Sequence, residues 1–484
     1  MIGVYSVSEI REAERRAIDC GENEDALIER AATKLFDEAM KFEFDEAVVF
    51  VGGGNNGSDA LSVALLLSRA GRKVRVATCS DKRNGYVEAR LSKLAECGVK
   101  VQSIMCDIPP ISRKNLVIDG IFGIGLNAEV RGAVAETMKK INASGASVLS
   151  VDVPSGLNAD TGKVMSMAIE ADVTVTFSGI KQGLIIGEGR NHTGKIVVAD
   201  IGIGLPEPGI GITEKEDVTL TKRKTVSNKG NYGNVKIIAG SPTMIGASLL
   251  AHESACASLR SGCGYAVLCV PESLASVYQS RVKEEMLFFL PDDNGKILYD
   301  ERVLDKIMTK ASCIVIGMGL GVNADVIKII RYLAANFEGT LVIDGDGLNA
   351  LASDLNAVED HKCGLILTPH VAEFMRLSAD DGLIPDTERT RALAERLDAV
   401  IAMKSATTVI SDGKRIALNI TGTPAMAKAG SGDVLAGMIG ALSVGADPFA
   451  AAVRACYFFG KAGSRAATIR GEYSVLASDI VLLL

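Results

Sequence analysis

Tryptophan is absent from this chain, histidine is scarce at four residues, and none of the ten cysteines forms a Cys-x-x-Cys pair. This cysteine usage argues against zinc or a disulfide framework; reduced thiols buried in a core are the expected state. There is no basic excess: 52 Lys and Arg face 59 Asp and Glu, for a net charge of −7. That balance argues against nucleic acid or an anionic membrane as partner. No apolar run approaches the ~20 residues that cross a bilayer. Residues 1–14 are amphipathic and charged rather than signal-like, so a cytoplasmic location is expected. No low-complexity tract or solenoid period is present. What remains is a globular composition, 484 residues with 48% apolar and 23% charged. At roughly 150 residues per domain, that length predicts two to three domains.

Residues 6–40 set apolar positions at helical spacing among charges, as at Ile10, Ala13, Ala17, Leu27, Ala31 and Leu35. Strand-like runs then alternate with helical segments. The run 47–51 precedes a helix over 59–70, and 74–78 precedes a helix over 86–97. Further runs stand at 116–118, 148–151, 173–177 and 196–199. The alternation predicts a parallel sheet with helices on both faces, a Rossmann-like three-layer α/β/α domain. The stretch 205–224 carries prolines, glycines and mixed charge without a sustained apolar period. A second α/β series follows, with strands expected at 235–239, 265–270, 313–316, 341–343, 365–367, 400–403 and 408–410. The expected division is a first domain over 1–212, a linker over 213–224 and a second domain over 225–484. Ligands of such sheets sit at the carboxyl ends of the strands.

The most informative string is Gly430-Ser431-Gly432-Asp433, which opens an Ala/Gly/Leu helical run. Successive backbone N–H groups at a glycine-rich helix start cradle an anion. A carboxylate directly after that cradle is hard to justify unless it takes a proton from a hydroxyl attacking phosphate. The bland alternative is a first-turn Asp that complements the helix dipole.

In the first half, Val51-Gly-Gly-Gly-Asn-Asn-Gly-Ser-Asp59 follows a strand and precedes a helix. Asp119-Gly-Ile-Phe-Gly-Ile-Gly-Leu126 and Val151-Asp152-Val-Pro-Ser155-Gly repeat the pattern of strand end, acid and glycine. Three such loops at one sheet edge predict a site. Oxygen donors such as Asn56, Asp119 and Ser155 suit a hard, weakly held cation, monovalent or divalent. Lys181, in Phe177-Ser-Gly-Ile-Lys181-Gln-Gly, pairs with phosphate or with Asp152, or else lies on the surface. In the second half, Gly317-Met-Gly319-Leu-Gly321, Asp344-Gly-Asp346-Gly-Leu-Asn349, Thr368-Pro-His370-Val-Ala-Glu373 and Lys404-Ser-Ala-Thr-Thr408 each end a strand. His370, after Thr-Pro, reads as a ligand contact; Glu373 contacts ligand or caps the following helix.

The first-half set, together with Lys181-Gln-Gly, resembles the NAD(P)H-hydrate epimerase family. That family usually reads Gly-Asn-Asn-Gly-Gly-Asp-Gly, and Ser58 and Ala60 replace two of its glycines. The resemblance implies a potassium ion near Asn56, Asp119 and Ser155. It implies contacts to the hydrated nicotinamide from Asn55, Asn56, Gly57, Ser58 and Asp59. Further contacts are implied from Gly123, Ile124, Gly125, Leu126, Asn127, Ala128 and Glu129, and from Asp152.

The second-half set resembles the ADP-dependent NAD(P)H-hydrate dehydratase family, of ribokinase-like fold, over nearly all of 225–484. Met318, Ser405 and Ser431 stand where that family commonly has Pro, Gly and Thr. The resemblance implies that Lys404, Ser405, Ala406, Thr407 and Thr408 hold ADP, with magnesium. Thr423, Pro424, Ala425, Met426, Ala427, Lys428, Ala429, Gly430, Ser431 and Gly432 complete that nucleotide site. Ala247, Gly319, His370, Glu373 and Asp433 are implied contacts of the hydrated dinucleotide.

The two halves in this order are similar to the bifunctional NAD(P)H-hydrate repair enzymes. Water added at C6 of a reduced nicotinamide ring gives two epimers, and hydroxide leaves poorly. Phosphorylation of the hydroxyl by ADP makes a group that leaves readily, with AMP and phosphate as products. The resemblance implies that the dehydratase takes one epimer only, which accounts for a fused epimerase. Asp433 is expected to remove the hydroxyl proton. Asp152 is expected to handle the epimerase proton transfers, with Lys181 as a second candidate. The expected partners are hydrated NADH, hydrated NADPH and ADP, with no nucleic acid and no membrane; a homo-oligomer is expected. Two rivals stand beside this reading. A sugar or vitamin-precursor kinase of the same fold would keep its phosphorylated product. A non-enzymatic scaffold would not need the intact Asp119, Asp152 and Ser155.

Overall fold

The computed structural model describes residues 1–242, 245–321, 324–378 and 384–484. The chain forms two compact units, Gly3–Gly209 and Ile210–Leu484 with Met1–Ile2. Both are α/β, as the alternation of short apolar runs and helical segments predicts.

The smaller unit holds a seven-stranded sheet in the order Lys100–Ser103, Val74–Thr78, Glu46–Val51, Asn115–Gly120, Ser147–Val151, Val173–Phe177, Lys195–Ala199. Every neighbouring pair runs parallel. Alternate residues of one strand feed two cores. Val49 and Val51 pack with helices Glu24–Ala39, Asn55–Arg69 and Gly85–Glu96, whereas Val48 and Phe50 pack with Gly132–Ala143. Burial on both faces is what makes the central strands continuous apolar runs. The order sets Glu46–Val51, Asn115–Gly120 and Ser147–Val151 side by side, so their carboxyl ends bring the three acid and glycine motifs to one edge. Apart from this sheet, Ile2–Tyr5 pairs in parallel with Ile180–Lys181, with Tyr5 opposite Lys181.

One helix begins earlier than its sequence suggests. The expected helix over 59–70 is Asn55–Arg69, so the Asn-Asn-Gly-Ser-Asp segment is its first turns rather than a loop. Gly54 at the N-cap makes no side-chain capping bond, which leaves the first backbone N–H groups for other partners.

In the larger unit the strand order is Met286–Leu290, Tyr265–Pro271, Asn234–Ile238, Cys313–Ile316, Thr340–Ile343, Gly364–Leu367, Val400–Met403, Thr408–Ser411, Ile416–Asn419, Ile210–Ile212. Neighbours are parallel as far as Val400–Met403. Thr408–Ser411 then runs antiparallel to both of its neighbours. Ile210–Ile212 pairs in parallel with Ile416–Asn419, with Ile210 and Ile212 buried. Residues 210–212, read from the sequence as the end of the first domain, thus belong to the larger unit. In the stretch read as a linker, Lys215–Asp217 forms a 3-10 turn and Val218 enters the core of this unit.

Helices Ile245–Arg260 and Ser431–Leu442 pack at backbone contact. A Cβ on Gly437 would fall 2.1 Å from the Ser254 carbonyl oxygen, and the Ser258 hydroxyl donates to the Gly437 carbonyl at 2.8 Å. Gly437→Ala is expected to cost about 1–3 kcal/mol by overpacking. Denaturant unfolding checks this; an unchanged midpoint would contradict it. All ten cysteines are free. Cys79, Cys263, Cys269, Cys313, Cys363 and Cys456 are buried as expected, but Cys20, Cys97 and Cys106 are exposed and Cys256 is half-buried. No described helix is long and apolar enough to cross a membrane.

Candidate active sites

In the smaller unit the site grows from three adjacent strand ends. Asp119, at the end of Asn115–Gly120, is fully buried. The Ser155 hydroxyl donates to its Oδ1 at 2.5 Å. The Ser155 N–H and the Ser150 hydroxyl donate to Oδ2 at 2.8 and 2.9 Å. Burial pushes the Asp119 carboxyl up, against these hydrogen bonds. The Phe122 N–H donates to the Ser155 hydroxyl at 2.8 Å, and the Asn56 amide donates to the Phe122 carbonyl at 2.7 Å. Asn56 and Ser155 thus meet at the Phe122 carbonyl, and the Ser155 hydroxyl ties Asp119 to them.

Asp152 follows Ser147–Val151 and holds φ at +61°. The Val153 N–H closes back on the Val151 carbonyl at 2.7 Å, so Asp152 sits at the centre of a strained tight turn. Its Oδ1 accepts from Lys181 Nζ at 2.5 Å, from the Phe177 N–H at 3.1 Å and from the Thr176 hydroxyl at 3.2 Å. Oδ2 has no hydrogen-bond partner among the described residues. Lys181 is buried and also donates to the Phe177 carbonyl at 2.9 Å, so it is not a surface lysine. Asp59, in the second turn of Asn55–Arg69, has its carboxyl driven well up by burial and by the charge of Asp152, against Arg90. Glu14, on Val7–Asp19, is pushed up by burial and again by Asp152. No motif marked Glu14; only the sheet edge brings that helix to the site.

The remaining expected contacts of this unit are less enclosed. Asn55 is exposed and accepts from the Asn84 amide at 2.9 Å. Gly57 and Ser58 are buried in the helix, and the Ser58 hydroxyl is buried without a hydrogen-bond partner among the described residues. The loop holding Gly123, Ile124, Gly125, Leu126, Asn127, Ala128 and Glu129 is open to solvent at most positions, and Glu129 pairs with Arg131 at 2.7 Å.

In the larger unit Gly430, at φ +86°, turns the chain into helix Ser431–Leu442 without a side-chain cap. The Ser431 hydroxyl is buried with no hydrogen-bond partner among the described residues. Against this helix start lies a charged cluster built on three adjacent strand ends. Lys404 Nζ donates to Asp344 Oδ1 at 2.6 Å, and the Thr368 hydroxyl donates to the same oxygen at 2.7 Å. A Cβ on Gly432 would lie 3.2 Å from Lys404 Nζ and 3.5 Å from Asp344 Oδ2. Asp346 Oδ2 accepts from the Gly321 N–H at 2.8 Å. Burial, then the charge of Asp344, lifts the Asp433 carboxyl to about 7; Lys404 opposes the rise and Asp346 adds to it. Burial works against the Lys404 charge, but Asp344, Glu373 and Asp433 more than offset it and raise its pKa.

Glu373 does cap its helix: its Oε2 accepts from the His370 N–H at 2.9 Å, and burial raises its pKa. His370 Nδ1 accepts from the Ala372 and Glu373 N–H groups at 3.1 and 3.3 Å, while the ring stays half-exposed. Gly319 follows the strand Cys313–Ile316 in the turn that leads to Gly321. Ala247 lies in Ile245–Arg260, with its side chain outside the described residues. In the expected nucleotide segments, the Ser405 hydroxyl donates to the Thr407 carbonyl at 2.6 Å. Ala406 is exposed, Thr407 buried and Thr408 partly buried. Thr423 caps the turn Pro424–Met426, which holds Ala425. Ala427, Lys428 and Ala429 are exposed, and Lys428 Nζ donates to the Tyr473 carbonyl at 2.6 Å. Asp344, which the sequence offered only as part of a glycine motif, emerges as the direct partner of Lys404.

Comparison with known proteins places both halves. Residues 235–483 match the family described as NAD(P)H-hydrate dehydratase, and residues 24–183 match the YjeF-related protein N-terminus. A bifunctional NAD(P)H-hydrate repair enzyme of Thermofilum pendens is 34% identical over 97% of this chain and 93% of its own. One from Moorella thermoacetica is also 34% identical, over 90% of this chain and 86% of its own. The solved ADP/ATP-dependent NAD(P)H-hydrate dehydratase of Bacillus subtilis, co-crystallised with ATP and Mg2+, is 27% identical. It covers 55% of this chain and 92% of its own, at a TM-score of 0.47. The chain is a two-domain α/β enzyme. It belongs to the family of bifunctional NAD(P)H-hydrate repair enzymes, and joins an NAD(P)H-hydrate epimerase to an NAD(P)H-hydrate dehydratase.

Proposed function

We propose that the unit Gly3–Gly209 exchanges the C6 epimers of hydrated NADH and NADPH, and that the unit Ile210–Leu484 restores one epimer using ADP. The observation that carries the second half of this reading is the environment of Asp433. Its carboxyl titrates at about 7 beside a glycine-rich helix start with an unpartnered buried hydroxyl on Ser431. A base with that pKa is half ionised at neutral pH and still strong enough to take a proton. Asp433 takes the C6 hydroxyl proton as the oxygen attacks the β-phosphorus of ADP, and AMP departs. The N–H groups of residues 430–432 hold the charge on the transferring phosphoryl group. Phosphate then leaves C6 with its bonding electrons, the ring nitrogen supplies its lone pair, and loss of a C5 proton restores the ring double bond.

Lys404 to Thr408 and Thr423 to Gly432 hold the nucleotide; Gly319, His370, Glu373 and Ala247 face the hydrated dinucleotide. Asp344, Asp346, Glu373 and Asp433 outnumber Lys404 in charge, which suits a magnesium ion brought with the nucleotide phosphates. Magnesium supplies charge neutralisation there. In the smaller unit the all-oxygen set of Asn56, Asp119 and Ser155 with the Phe122 carbonyl fits potassium. Asp152 Oδ2 takes the C6 hydroxyl proton as the C6–N1 bond opens to an aldehyde with its electrons on nitrogen; after rotation about C5–C6 the nitrogen re-adds to the other face and the oxygen regains the proton. Lys181 positions Asp152. A cytoplasmic homo-oligomer is part of the same reading.

The discriminating experiment incubates the enzyme with hydrated NADH and each nucleotide in turn, following AMP, ADP, phosphate and reduced-nicotinamide absorbance. AMP and phosphate in step with restored NADH support the reading; a stable phosphorylated product would replace it with a kinase. Exchanging potassium for sodium should slow epimer exchange and leave dehydration unchanged; equal epimer rates in both salts would remove the potassium assignment. Lys404→Met should move the acidic limb of kcat, at saturating nucleotide, upward by about one pH unit, because Lys404 holds the Asp433 carboxyl down. An unmoved limb would detach that limb from Asp433.

A further inference from the structure

His252, Cys256 and Glu285 converge apart from the residues assigned to either reaction, with one ligand atom from each lying within 4.8 Å of the others. His252 and Cys256 stand four residues apart on helix Ile245–Arg260, a spacing that puts both on one face. Glu285 immediately precedes the strand Met286–Leu290, and its side chain is wholly buried. His252 Nδ1 touches Glu285 Oε1. Cys256 Sγ lies 3.5 Å from His252 Nε2 and 3.9 Å from Nδ1. The other Glu285 oxygen accepts from the Lys283 N–H at 3.3 Å.

We propose that His252, Cys256 and Glu285 form a site for one thiophilic divalent cation of the zinc class. Bonds of about 2.0–2.3 Å at tetrahedral angles separate ligand atoms by roughly 3.2–3.6 Å. On His252 Nδ1, the ring nitrogen that faces both neighbours, the sulfur lies at 3.9 Å, a few tenths of an ångström beyond that edge. Only the His252 and Glu285 side chains must part to admit the ion. Charge favours the same occupant: a thiolate and a carboxylate cancel the two positive charges, with a neutral imidazole as third ligand. Without the ion, a protonated His252 compensates the buried Glu285 carboxylate; the bound cation takes over that role and frees the imidazole to ligate. The sulfur and nitrogen donors exclude magnesium and potassium, which take oxygen, so this site is chemically separate from those proposed above. Three protein ligands leave a fourth position for water or an incoming group. Ala247 lies five residues before His252 on the same helix, about 7.5 Å along its axis.

The test uses the full chain, reduced and stripped of metal by a chelator, and titrated with cobalt(II). One equivalent should produce thiolate-to-cobalt charge-transfer absorption, and zinc should displace it. Cys256→Ser should abolish the band, and His252→Ala and Glu285→Gln should each weaken cobalt binding more than about tenfold, since even outer partners of metal ligands cost that much. Cys263→Ser should change nothing. Absence of the band, or its survival in Cys256→Ser, overturns the proposal and leaves an imidazole–carboxylate pair beside a thiol. Should Cys256→Ser not fold, alkylation of the unaltered protein decides: zinc should protect Cys256, and equal labelling with and without zinc overturns the site.

Discussion

Asp433→Asn should lower ADP-driven dehydration about a thousandfold, within the range of a lost general base, while epimer exchange proceeds at its normal rate. Restored absorbance with ADP reads the first activity, and loss of epimeric distinction in the hydrate pool reads the second. Dehydration above a tenth of the normal rate would remove Asp433 as the base. The same substitution has a thermodynamic signature that a passive residue lacks. The carboxyl titrates at about 7 in the fold, because burial and Asp344 disfavour its charge, and at ~3.9 in an unfolded chain. Between those values the folded state holds a proton that the unfolded state has lost, so this group's contribution to stability falls as pH rises from about 4 to about 7. Asn carries no such charge. Asp433→Asn should therefore melt higher than the parent above pH 7, and that advantage should vanish toward pH 4. An active-site base that trades stability for a usable pKa predicts this pairing of lost activity with gained stability.

Much of this was legible from residue order because both sites sit at the ends of buried parallel strands. Such strands read as short apolar runs, and the acid or glycine that follows each marks its carboxyl end. Two edge strands gave no such signal, unlike Lys195–Ala199. Lys100–Ser103 is exposed or half-exposed along its length, and Met286–Leu290 buries only Leu290 fully. Residues 210–212 were assigned to the wrong unit because three residues cannot reveal a partner more than 200 positions away, at Ile416–Asn419. The glycine and asparagine run 52–57 reads as a loop on composition, yet its Asn residues open a helix, because tertiary packing against Asn115–Gly120 overrides weak local propensity. Glu14 and the pairing of Asp344 with Lys404 have no local pattern at all; they follow from which helices and strands become neighbours. His252, Cys256 and Glu285 were hidden likewise, since an i,i+4 pair gains meaning only when a third ligand arrives from another element.

Asp152→Asn should do the reverse of Asp433→Asn. Epimer exchange should fall by two to four orders of magnitude, roughly the worth of a positioned proton-transfer group, with the rate on the accepted epimer intact. Given a mixed hydrate pool and excess ADP, the parent enzyme should consume all of it in one sweep. The variant should stop at the accepted fraction and then creep forward at the spontaneous rate of exchange. A single uninterrupted sweep would sink the assignment. Lys181 gives a second, separable readout. Its side chain is only 1% exposed and lies 2.5 Å from Asp152. Lys181→Met strands a carboxylate beside Asp59 and Glu14, whose carboxyls are already pushed up by burial and then by the charge of Asp152. Breaking a buried pair in this way costs about 3–5 kcal/mol, whereas removing both charges is often neutral. Lys181→Met should therefore lower the unfolding midpoint of the smaller unit, and Asp152→Asn with Lys181→Met should restore most of it without restoring exchange. Recovered stability with absent exchange would separate the structural part of the pair from its chemistry, as the proposal requires: Asp152 takes the proton and Lys181 holds it in a strained turn.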